Sequence, residues 1–175
     1  MANYTTADIK ALRERTGAGM LDVKKALDEA DGDAERAVEI IRVKGLKGVA
    51  KREGRNASAG LIAARVVDDG DSQAGVLVEV NAETDFVAKN EKFIAFADRV
   101  LDAAVASGAE TAEALAEVAV EDGTVKDLTD SMQAVIGEKI VVRRLARLVA
   151  PKVELYLHRT SPDLPAQGAA LVGTD

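Results

Sequence analysis

The side chains able to carry out chemistry in this chain are few, and their settings exclude most reactions. His158 is the single histidine, and there is no cysteine. Thiol catalysis, disulfides and cysteine-ligated metals are therefore excluded. A serine–histidine–aspartate arrangement would have to be built on His158, which lies on an expected strand with no nucleophile signature beside it. No Gly-x-x-x-x-Gly-Lys-Ser/Thr loop occurs, so the chain is not itself a P-loop protein. Gly17-Ala18-Gly19 follows a helical pattern rather than a strand and reads as a turn between helices. Asp68-Asp69-Gly70-Asp71 lacks EF-hand spacing and its terminal glutamate, and reads as a solvated hairpin turn. No metal site and no cofactor is expected. The segment densest in local signals is Glu79-Val80-Asn81-Ala82-Glu83-Thr84-Asp85-Phe86-Val87-Ala88-Lys89-Asn90. Strand-like alternation gives way here to a helical pattern. The Thr84 hydroxyl can cap the new helix, Asp85 sits favourably at the positive end of its dipole, and Phe86 is fixed at the mouth of a rigid element.

Composition limits what can position such a segment. A chain of 175 residues makes one large domain or two small ones. Apolar residues reach 47% while aromatics are only 3%, so the core must be built of Ala, Val, Leu and Ile. The net charge of −7 argues against a general nucleic-acid binder, and no direct nucleic-acid partner is expected. No apolar run approaches the roughly 20 residues that span a bilayer, so no membrane partner is expected. The first residues have neither the basic nor the apolar region of a secretory signal. A cytoplasmic location is the expectation.

The pattern is α+β. Residues 1–45 read as a three-helix head: a first helix capped at Thr5 or Thr6 and stopped by Gly17, a second over about 20–30, and a third capped by Asp33 and ending before Gly45. Residues 46–58 carry Lys47, Lys51, Arg52 and Arg55 among glycines and read as a basic linker. Residues 59–150 read as an αβ core with antiparallel strands. It comprises a hairpin over 60–80, a long helix over about 85–106 with the stripe Phe93, Ala97, Val100, Leu101 and Ala104, a helix over 125–136, and a strand over 140–149. Residues 151–175 add two more strands around the loop Ser161-Pro162-Asp163-Leu164-Pro165.

The 79–90 segment and an upstream one, Leu12-Arg13-Glu14-Arg15-Thr16-Gly17-Ala18-Gly19-Met20-Leu21-Asp22-Val23-Lys24-Lys25-Ala26-Leu27, resemble the two sequence signatures of the bacterial translation elongation factor Ts family almost residue for residue. The resemblance runs from about residue 2 to about residue 172. It implies a head of the ubiquitin-associated type and a core whose second half is only opened by residues 151–175. The abrupt end at Gly173-Thr174-Asp175 favours a fragment over a short form.

The resemblance further implies a guanine-nucleotide exchange factor for elongation factor Tu, promoting Mg²⁺ and GDP release, and not an enzyme. Thr84, Asp85, Phe86 and Val87 would form the wedge that dislodges Mg²⁺. Met20, Leu21, Lys24, Arg52, Ile136 and His158 match other partner contacts. Several of these positions also admit a plainer reading. Phe86 lies on the stripe of Phe93 if one helix includes both, which would make it core. Met20 or Leu21 could belong to the head's core, Lys24 and Arg52 could be solvated charges, and Ile136 fits a core stripe equally well. The loop after His158 is longer than the commonest family form. The alternative function is a ribosome- or RNA-associated module using the basic 42–55 stretch. The acidic remainder and the scarcity of stacking aromatics weigh against it.

Overall fold

The computed structural model describes residues 3–175. These form two units, one of residues up to Gly54 together with Asp130–Glu138, the other of Arg55–Thr129 together with Lys139–Asp175.

In the first unit, α1 (Thr6–Thr16) begins at Thr5 with a reciprocal capping box. The Thr5 hydroxyl accepts from the Asp8 N–H, and Asp8 accepts from the Thr5 N–H. Gly17, in the left-handed region, ends the helix. Then come α2 (Met20–Glu29) and α3 (Ala34–Arg52), the latter capped by Asp33. Leu12, Val23, Ala26, Leu27, Ala30 and Ala37 make the core, with Tyr4, Ile9, Ile40 and Ile41 packed around it. The Tyr4 hydroxyl donates to the Asp28 carboxylate and ties the chain's start to the end of α2.

The third helix does not stop before Gly45, and residues 46–52 are its last turns rather than linker. Gly45 serves close packing, not termination: a Cβ there would lie 2.8 Å from the Cβ of Ala134. Ala134 belongs to the later half of α7 (Val125–Ile136), which packs in this unit.

In the second unit, β1 (Ala59–Asp69) and β2 (Ser72–Ala82) form an antiparallel hairpin, and β5 (Val141–Ala150) joins on the other side of β2. Val78 stands opposite both Ala63 and Leu145, and the β2–β5 register shifts at Glu79/Val80. Alternation puts Val76, Val78 and Val80 on one face, where α5 (Glu91–Ser107) covers them with Phe93, Phe96, Ala97, Val100, Leu101 and Ala104. The Phe93 and Phe96 rings lie 6.3 Å apart and tilted. The opposite face receives the hairpin of β6 (Lys152–His158) and β7 (Gly168–Thr174). Gly75 permits this second packing, since a Cβ there would lie 2.7 Å from Leu171 and 2.8 Å from Val153. The unit is completed by the short α4 (Asp85–Ala88) and α6 (Ala112–Ala116), and by the small hairpin of β3 (Ala119–Val120) and β4 (Gly123–Thr124), which the sequence reading missed.

The expected long helix over 85–106 is two helices. Asn90 adopts extended backbone, and its side chain accepts from the Lys92 N–H at 2.9 Å, which caps α5 and separates it from α4. The α+β class and the order of helical bundle before antiparallel strands match the expectation.

Candidate functional site

The turn after β2 is held at both ends. Upstream, Asn81 is buried. Its amide donates to the Ala59 carbonyl at 3.1 Å, and its oxygen accepts from Arg143, whose other arm reaches the Ala57 carbonyl at 2.8 Å. Glu83 accepts from the Lys139 N–H at 2.6 Å and from Arg55 at 3.3 Å. The Thr84 hydroxyl accepts from the Val87 N–H at 3.4 Å, so the turn is capped as the sequence suggests. Downstream, Ala88 is buried and Asn90 starts the next helix. On this anchored turn Asp85 is exposed, Val87 is half-buried, and Phe86 is 79% exposed. A polar concavity of about 600 Å³, lined by Glu79, Asn81, Glu83 and Asp85 among others, borders it.

Burial of an exposed aromatic ring against a partner contributes substantially to association. Here the backbone is fixed by bonds to two strands and a following helix, so the ring is presented on a stiff base.

On the head, Met20 is 59% and Leu21 72% exposed, at the start of α2. Their neighbour Val23 is fully buried, so neither is a core residue. Lys24 is exposed one turn after Met20 on the same face. Arg52 is half-buried, and its guanidinium donates to the Gln133 carbonyl at 3.4 Å, a bond within the first unit. Ile136 is half-buried at the last position of α7. His158 is exposed at the end of β6, its Nδ1 3.1 Å from the Tyr156 hydroxyl. The structure thus gathers residues 84–87 on one turn and Met20, Leu21 and Lys24 on one helix. The other three lie on separate elements.

The sequence reading did not single out Lys89, whose ammonium stands over the Phe86 ring at 5.1 Å from its centroid. The three-residue spacing was the available signal. It also overlooked Asn90, although Asn before an acidic residue is a helix-start pattern.

Among the described residues, no group of three or more histidine, aspartate or glutamate side chains forms a set able to hold a metal, and no helix is long and apolar enough to cross a membrane. The fold is α+β, with an exposed aromatic turn in the second unit and an exposed apolar helix start in the first. Residues 83–174 match the family model described as Elongation factor TS. Over 177 aligned residues the chain is 64% identical to Elongation factor Ts of Beutenbergia cavernae, covering all of this chain and 63% of the relative. It is 61% identical to Elongation factor Ts of Micrococcus luteus and 58% identical to that of Paenarthrobacter aurescens, covering 62% of each. The chain belongs to the elongation factor Ts family. It spans less than two thirds of the length of these relatives.

Proposed function

We propose that the chain binds elongation factor Tu and promotes release of Mg²⁺ and GDP from it during translation elongation. The observation that carries this reading is the exposure of Phe86 on a turn whose backbone is anchored on both sides. A large, stiff ring driven between packed helices moves them as units. Mg²⁺ demands near-octahedral oxygen ligands, so small displacements of the elements that carry them release the ion. The phosphates are then left with uncompensated charge, and nucleotide affinity falls.

Thr84, Asp85, Phe86 and Val87 form the wedge in this reading, with Thr84 holding the turn and Phe86 entering the partner. Met20, Leu21 and Lys24 anchor the head, the apolar pair by burial and the lysine by charge. Arg52, Ile136 and His158 contribute at the margins. No bond is made or broken, so the protein is not an enzyme in the reaction sense. It works by linkage: the factor by which its binding weakens GDP equals the factor by which GDP weakens its binding. The setting is the cytoplasm, with no membrane or direct nucleic-acid partner.

The test is loss of signal from elongation factor Tu loaded with a fluorescent GDP. Addition of the chain at micromolar concentration, against excess unlabelled GDP, is expected to accelerate the loss. An unchanged rate, both with this chain and with one extended to the length of its relatives, contradicts the reading.

A further inference from the structure

The backbone under Phe86 is fixed, but its ring projects into solvent and is free to change rotamer unless something holds it. Lys89 is placed to do so. It is the C-cap residue of α4, three positions after Phe86, and its Nζ lies 5.1 Å from the ring centroid. Both side chains are exposed. Among the described residues no salt bridge engages this ammonium. A cation at that distance is attracted by the negative face of the ring.

We propose that Lys89 is a positioning residue for Phe86: its ammonium, seated on the ring face, keeps the ring in the outward pose in which it meets the partner. This rests on the reading of Phe86 as the wedge. A ring that samples several rotamers must be ordered on binding, and that ordering lowers the rate and affinity of engagement. Lys89 removes part of that cost in the free protein. The charge matters rather than the bulk, so Arg should substitute for Lys while Met, of similar length, should not. An exposed cation–π contact changes populations by about two- to fivefold, and the functional effect is expected on that scale.

Two measurements on the full chain test this. In NMR spectra of the free protein, the Lys89 ε-methylene protons should be shifted upfield by the ring current of Phe86, and Phe86→Leu should return them to ordinary lysine positions. Ordinary positions already present in the unsubstituted chain overturn the proposal. In the GDP-release assay, Lys89→Met should slow exchange about two- to fivefold when Phe86 is present and leave it unchanged in a Phe86→Leu background, with Lys89→Arg close to the unsubstituted rate. An equal loss from Lys89→Met in both backgrounds means that Lys89 acts by its own contact or by charge steering, and overturns the proposal while the wedge reading stands. Absence of exchange activity from the unsubstituted chain, both at this length and extended to the length of its relatives, overturns both, and that rate tells the two failures apart.

Discussion

Phe86 and Phe93 lie within one stretch of helical pattern, yet the Phe93 ring is fully buried against the sheet while the Phe86 ring is 79% exposed. Asn90 separates them: α4 ends at its C-cap Lys89 and the Asn90 side chain caps the start of α5, so the two rings do not share a stripe. Alanine substitutions should expose the difference. Phe93→Ala is expected to destabilise the protein by about 3–5 kcal/mol, as loss of a large core aromatic does. Phe86→Ala is expected to stay within about 0.5 kcal/mol of the parent. Denaturant midpoints at unchanged m-value decide the comparison.

Met20 and Leu21 form an exposed apolar step beside the buried Val23. Replacing both with Ala should leave the head's thermal stability nearly unchanged, because neither fills the core. Affinity for elongation factor Tu should fall by about tenfold or more, the scale of losing anchor residues at an interface. Calorimetric titration beside a melting curve separates the two effects. A large stability loss would return these residues to the core.

Two capping boxes give the protein an acid-side weakness. Thr5 donates to Asp8 through its N–H at 2.7 Å and its hydroxyl at 2.8 Å, and the backbone bond first, then the side-chain bond, hold the Asp8 carboxyl below its ordinary range. Thr124 treats Asp127 the same way, at 2.9 and 3.0 Å, with a smaller contribution from the Lys126 charge. Because each folded pKa is lower than the unfolded one, the stabilisation is fully present above the unfolded value of about 4 and is lost as pH falls through the folded value. Carboxyl NMR titrations should give midpoints below the ordinary aspartate value for both groups. Thr124→Ala should move the Asp127 midpoint part of the way back, since the backbone bond survives. Midpoints at the ordinary value would contradict the capping account.

Gly60 sits at the start of the hairpin with φ +136°, and an added Cβ would lie 2.1 Å from the Val80 carbonyl oxygen. Gly60→Ala combines backbone strain with a clash against main chain that no rotamer relieves. A loss of more than about 1 kcal/mol is expected, read from the denaturant midpoint. Gly70→Ala is the control for strain alone, because it has φ +65° and open space around it.

Local signals account for most of what the sequence made legible. Thr5, Asp33 and Thr84 were readable as caps because capping depends on a few adjacent residues. The buried stripe of α5 was readable from its period. Gly17 and Gly45 show where this stops. Both follow helical patterns, but Gly17 ends a helix and Gly45 lets α3 pass close to Ala134. Nothing near Gly45 in sequence announces a partner so distant in the chain. For the same reason, the placement of Asp130–Glu138 with the head was not legible. The motif over 84–87 marked the capped turn, but spacing could not say whether Phe86 faced core or solvent, since that turned on the backbone at Asn90.

The central claim is that Phe86 acts on a partner and not on the protein's own core. It is tested most directly by the rate of fluorescent GDP release from elongation factor Tu, driven by matched folded concentrations of the parent and Phe86→Ala chains. The account predicts clear acceleration by the parent and a loss of at least tenfold in the variant, with the denaturant midpoint nearly unmoved. A variant that drives release as fast as the parent, or one whose lost activity is matched by lost folding, would contradict it.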